Sequence, residues 1–137
     1  MATWVTHLMI SDIILSHFSN LDRRGFCVGN IAPDCNIENE DWTDFTPPRE
    51  VTHWMSGTRK TVADADRFCE EYLLPRLNAN IPQEEHAFLL GYYSHLLTDA
   101  ADQIMLRDEV RVKGIWKRLK NDLVLREKAG NACHPEQ

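Results

Sequence analysis

Along residues 4–18 the apolar side chains Trp4, Val5, Leu8, Ile14, Leu15 and Phe18 recur at helical spacing, with Thr3 ahead of them as a capping hydroxyl. The pattern predicts an amphipathic helix. A shorter helix is predicted over residues 22–31, ended by a turn at Pro33 because proline disfavours helical geometry in the residue before it. Residues 35–48 are acidic and hold Asn36, Asn39 and the pair Pro47-Pro48, which predicts a long loop of the kind that is often functional. A short helix is expected over residues 51–55, closed by Gly57, and a longer one over 61–77 with Ala65, Phe68, Tyr72 and Leu73 on one side. Pro82 opens the strongest element, and Gln83, Glu84 and Glu85 suit the positive end of a helix. Over residues 87–105 that element is apolar almost all round, the mark of a central helix covered on every side. A charged amphipathic helix is predicted over residues 110–128, and a frayed tail from Gly130. Strand-like alternation, hairpin dipeptides and internal repeats are lacking, so the expected fold is all-α: a compact multi-helix domain around a buried central helix.

At 137 residues the chain is long enough for one full core and too short for two ordinary ones, so a single domain over residues 1–137 is expected. A hydrophobic fraction of 43% and a charged fraction of 26% exclude a disordered chain. The net charge of −6 argues against a broad phosphate-binding surface, and a nucleic-acid partner is not expected. A bound metal can still supply positive charge locally. Cys27, Cys35, Cys69 and Cys133 show no CxxC spacing and are read as free, mostly buried thiols. The N-terminal stretch carries no basic residue ahead of its apolar positions, and no apolar run reaches membrane length. A cytoplasmic location without stable membrane insertion is the expectation.

Chemistry concentrates on the central helix. At about 100° per residue, His95 and Asp99 lie roughly 40° apart and one turn along, so their side chains reach a common ion. Both sit in an apolar surface, where an unpaired carboxylate and imidazole are costly. A His–Asp hydrogen bond would answer that cost, and so would a metal. Three further residues bear on the choice: Asp34 after the Pro33 turn, His53 in the short helix, and His7 on the first helix. Each has a plain alternative, as a helix cap, a satisfied core histidine and a packing residue. Together with His95 and Asp99 they make three imidazoles and two carboxylates, a donor set suited to zinc. His86 is about 180° from His95 around the same helix, and His17 about 80° off the His7 face, so neither is expected at the site.

The segments Trp4-Val5-Thr6-His7, Gly29-Asn30-Ile31-Ala32-Pro33-Asp34, Thr52-His53-Trp54 and Gly91-Tyr92-Tyr93-Ser94-His95-Leu96-Leu97-Thr98-Asp99 resemble, in order, those of the zinc-dependent phospholipase C family, a relative of the single-strand-specific fungal nucleases. The resemblance implies an all-helical domain around a zinc cluster. Asp34, His53, His95 and Asp99 would hold one zinc, and His7 a second bridged by Asp99. Asp34 would double as general base. Two departures stand out. The N-terminus is only six residues ahead of His7 and on the same helix, an awkward geometry for the terminal amine that completes the second site in secreted members. The family's later His…His-x-x-x-Glu group has no counterpart, since only His134 follows Asp99.

The leading expectation is therefore a zinc-dependent hydrolase of phosphoesters, with one zinc or two and a small phosphoester as substrate. Zinc lowers the pKa of its water to about 7 and polarises a phosphoryl oxygen. Phospholipid itself is not the expected substrate, because the sequence pattern offers neither an exposed basic amphipathic helix nor a lipid anchor. The competing class is a non-catalytic zinc-binding structural or interaction protein of the same fold, since a metal with four protein ligands is closed. The loop acids from Glu38 to Asp44 lack EF-hand spacing, and Trp42 and Phe45 there are read as packing anchors. Oligomeric state is left open.

Overall fold

Thr3 Oγ1 accepts from the amide of Thr6 and starts α1 (Trp4–His17). Asp22 does the same for α2 (Arg23–Ile31) through the amide of Gly25, and Pro33 tightens the exit into a 3₁₀ turn, Ala32–Asp34. These are features of a computed structural model that describes residues 2–41, 43–55, 62–107 and 109–121. Within residues 35–48, predicted as irregular, β1 (Ile37–Glu38) pairs antiparallel with β2 (Phe45–Thr46), Ile37 opposite Thr46. Two-residue strands are too short to show alternation. What closes them is Asn39, whose Oδ1 accepts from the amides of Thr43 and Asp44.

The short helix predicted over residues 51–55 is α3, Arg49–Thr52, and it starts at Pro48 and stops earlier. The helix predicted over residues 61–77 is α4 (Ala65–Phe68), capped by Asp64, which runs on as a π turn (Cys69–Leu73) and a 3₁₀ turn (Leu74–Arg76). Pro75 has no N–H to give, so a uniform α ladder cannot continue there. The central helix is α5 (Gln83–Arg107), followed by α6 (Glu109–Asn121). The expected stop at Gly57, the start at Thr61, Trp42, and the tail from Gly130 with Cys133 and His134 lie outside the described residues. Among the described residues no helix is long and apolar enough to cross a membrane. The fold is all-α apart from the two-stranded ribbon. Two compact units divide the chain, Met1–Gln103 and Ile104–Gln137.

In the first unit the core joins Phe68, Leu73, Leu89 and Leu96 with Ala63 and Ala65. Phe68 stacks on Tyr72 and Tyr92, and Trp54 stands edge-on to Phe68 and Tyr72, which ties the end of α3 to α4 and α5. α2 crosses α5 at backbone contact. A Cβ on Gly29 would lie 2.0 Å from the Phe88 carbonyl oxygen, and one on Gly91 2.1 Å from that of Phe26. Only glycine lets the two helices meet this closely.

Three expectations need correction. α1 buries His7 and Ser11, which lie on the same face as the predicted apolar stripe, while Trp4, Val5, Leu8 and Phe18 are exposed. His7 is drawn inward because its partners Asp99 and His95 lie on α5, and Ser11 Oγ donates to the His7 carbonyl. α5 is covered along residues 87–99 only in part, with Leu97 exposed, and Ile104 and Met105 beyond it are exposed as well. Cys27, Cys35 and Cys69 are free as expected, but none is buried, Cys35 being exposed.

Candidate metal centre

His95 and Asp99 sit one turn apart on α5, and both are essentially inaccessible. His95 Nδ1 lies 2.7 Å from the main-chain oxygen of Asn30, in the last turn of α2. A carbonyl only accepts, so Nδ1 carries the proton and the neutral ring turns a lone pair at Nε2 into the site. Asn30 is placed by the glycine crossing and donates through Nδ2 to the carbonyl of Gly91. Its role was not apparent in the sequence, although it stands inside the Gly29–Asp34 motif.

His53 is the residue after α3. Trp54 follows it at φ 55°, the left-handed conformation that ends many helices and that glycine usually supplies. Here Trp54 takes it, and the indole packs into the aromatic group of α4 and α5. Tyr92 Oη donates to the carbonyl of Thr52, fixing the segment to α5. Burial pushes the Tyr92 hydroxyl up to about 12, so it stays a donor. Thr52 Oγ1 donates to the Arg49 carbonyl and accepts from His53 Nδ1 at 3.0 Å, leaving His53 Nε2 as a second inward lone pair.

Four acceptor atoms therefore converge. His53 Nε2 lies 3.3 Å from His95 Nε2, 3.2 Å from Asp34 Oδ1 and 3.6 Å from Asp99 Oδ2, and His95 Nε2 is 3.8 Å from Asp99 Oδ2. Zinc bonds of 2.0–2.2 Å in a tetrahedron put neighbouring donor atoms about 3.3–3.6 Å apart. The edges that meet at His53 and His95 are near that size, and the groups whose donor atoms all lie within 4.8 Å of one another are triads, Asp34–His53–His95 and His7–His95–Asp99. Without a cation, a proton on His53 Nε2 answers Asp34 Oδ1, but Asp99 Oδ2 is left buried with no hydrogen-bond partner.

His7 approaches from the other side. Its ring stacks on His95 at 3.8 Å between centroids, and Nε2 lies 3.5 Å from Asp99 Oδ1. Neither ring nitrogen has a hydrogen-bond partner. His7, His95 and Asp99 form one group able to hold a metal, and Asp34, His53 and His95 another, with His95 common to both. The stretch before α1 also reaches the site, through a main-chain amide rather than a terminal amine. Thr3 is extended, at φ −84° and ψ 159°, so the chain leaves the helix axis and the Ala2 amide donates to Asp99 Oδ1 at 2.9 Å.

Charge is arranged to keep both carboxylates ionised. Burial works to raise Asp34, but the His53 hydrogen bond and the charges of His95, His53 and Arg49 outweigh it and hold the group below its ordinary value. For Asp99 burial is likewise outweighed, by His7, the Ala2 amide and the other histidines. His95 is held down to about 4, by burial first and then by His7. Asp34 is the member nearest solvent, its side chain 12% exposed against 1% or less for His53, His95 and Asp99. Arg49 Nη2 stands 3.5 Å from its Oδ1. His17 and His86 are elsewhere, as helix phase predicts: both line a separate, mainly apolar cavity of about 640 Å³ between α1 and α5.

Comparison with curated proteins and with solved structures returned no match. The profile described as zinc dependent phospholipase C matches residues 6–101. That span opens beside His7, closes just past Asp99 and so takes in all five residues of the cluster. The order and content of the match, and the geometry it encloses, are those of one lineage: the chain belongs to the zinc-dependent phospholipase C family.

Proposed function

We propose that this protein is a zinc-dependent hydrolase of phosphoesters, with one zinc held by Asp34, His53, His95 and Asp99 and a second by His7 with Asp99 between them. The observation that carries the reading is the convergence of Asp34, His53 and His95, and of His7, His95 and Asp99, into two adjoining groups able to hold a metal, with Asp34 the member nearest solvent. Zinc in such a position acts as a Lewis acid on a phosphoryl oxygen and makes water nucleophilic near neutral pH. The chain's own residues do the rest. Asn30 and Thr52 fix the ring orientations of His95 and His53. Asp34, ionised and accessible, is either the fourth ligand or the base that takes a proton from water. The Arg49 guanidinium, one third exposed beside Asp34, is placed to orient a phosphoryl oxygen. A small phosphodiester or phosphomonoester is the proposed substrate.

A non-catalytic zinc protein of the same fold is the second reading. It is favoured by the number of donors gathered around His95, since a metal with four protein ligands is closed. Turnover decides between them. Zinc-loaded protein should hydrolyse bis(p-nitrophenyl) phosphate or p-nitrophenyl phosphate, lose activity with chelator and regain it with zinc. Asp34→Asn retaining zinc but not activity would make Asp34 the base, and losing both would make it a ligand first. Fully loaded protein without chelator-sensitive turnover on either compound rejects the hydrolase reading in favour of the second.

A further inference from the structure

In a chain of net charge −6, the 13 residues of α6 hold five Lys and Arg against one acid, Glu109. Their placement is ordered. At about 100° per residue, Val112, Ile115 and Trp116 fall within an arc of about 100°. Lys120 and Lys113 border the arc beside Trp116, and Arg118 lies beyond Ile115. Ile115 and Trp116 are 46% and 60% exposed, and Lys117, Arg118 and Lys120 are exposed. The basic amphipathic helix that the sequence pattern was not expected to provide is therefore present.

From this arrangement we infer that α6 is a docking surface for an anionic phospholipid bilayer, lying in the plane of the headgroups. The occupant follows from charge and shape together. Cations flanking an apolar stripe match a surface that is negative outside and hydrocarbon beneath. A nucleic-acid backbone would use the cations and leave Trp116 and Ile115 with nothing to bury them. At about 20 Å for 13 residues, and with its cations, α6 is too short and too charged to span the roughly 30 Å hydrocarbon core, so it rests on the membrane. Trp116, with one apolar body and one N–H, suits the boundary layer. The inference does not depend on the hydrolase reading, because binding is measured without turnover.

The experiment is co-sedimentation of the zinc-loaded full chain with vesicles of phosphatidylcholine alone and of phosphatidylcholine with about 30 mol per cent phosphatidylserine. The protein should bind the anionic vesicles and release them at high salt, as screening predicts. Trp116→Ala, and Arg118→Glu with Lys120→Glu, should each weaken vesicle binding roughly tenfold or more, with circular dichroism and zinc content unchanged. Absence of binding, equal binding to neutral vesicles, or variants that bind like the parent would overturn the inference. So would lipid-free self-association abolished by Trp116→Ala, which would make a second copy the occupant, or tight binding of duplex DNA that vesicles fail to displace.

Discussion

Gly29→Ala is the most informative substitution in the molecule, because its effect can be worked from the backbone alone. The new Cβ would lie 2.0 Å from the Phe88 carbonyl oxygen and 2.7 Å from its carbon, while ordinary contact begins at 3.4 Å, so α2 and α5 must part by about 1.4 Å. Main-chain atoms stand on both sides of the contact, and no side chain can swing away to absorb it. Parting the helices stretches the 2.7 Å contact between His95 Nδ1 and the Asn30 oxygen to about 4 Å, beyond hydrogen bonding. Overpacking costs roughly 1–3 kcal/mol, and a buried N–H without a partner about as much again. A total of about 2–6 kcal/mol is a large share of the roughly 5–15 kcal/mol that holds a domain folded. The same movement carries Asp34 away from His53 by several times the roughly 0.2 Å that a zinc site tolerates. Denaturant titration and zinc competition against a chromophoric chelator should show both losses. Gly114→Ala, where nothing lies within 4 Å, should be neutral or stabilise by up to about 1 kcal/mol. A Gly29→Ala protein with parental stability and zinc affinity would refute the close crossing and the account of how it sets the site.

His95→Ala and Asp99→Ala should each lower zinc affinity by roughly two orders of magnitude or more, with His17→Ala and His86→Ala near parental values. Equal losses across the four would put the site on the wrong face of α5. In metal-free protein His95 titrates at about 4 when folded against 6.5 when unfolded, held down by burial first and then by His7. Between those values the unfolded chain binds the additional proton, so stability should fall as pH is lowered through the window, by about 3 kcal/mol at most. Denaturation curves with chelator that are flat or that improve toward pH 4 would contradict this. Hydrogen exchange should show that chelation deprotects α1 before α5, since α1 buries only His7 and Ser11. Uniform deprotection of both helices would count against an ion-held α1.

Helix phase puts His95 and Asp99 on one face by arithmetic, whereas Asp34, His53 and His7 were singled out as ligands by the resemblance in segment order; the structure brings the five side chains together. What α1 buries was not readable, since Trp4 and Leu8 belong to the same face as His7 and Ser11 and only the partners on α5 show that the polar residues of that face are the covered ones. Gly25, Gly29 and Gly91 carry no hydrophobic signal, so a crossing built on missing side chains leaves no mark in a polarity pattern. Main-chain donors and acceptors, such as the Ala2 amide and the Asn30 carbonyl, are likewise invisible in side-chain chemistry. The positive φ of Trp54 runs against residue preference and is stabilised by aromatic packing that arrives from elsewhere in the chain.

α1 is held to the rest of the first unit at the point where His7 meets Asp99 and His95. An ion bound there as proposed would join residues 92 positions apart in sequence, much as a disulfide does. The bond it forms answers to a different variable. A disulfide persists or breaks with the redox potential of its compartment, whereas this link strengthens with the logarithm of free zinc over its dissociation constant. The length of chain that stays ordered would then report the zinc supply, and a cell short of the metal would hold this protein with one end undone.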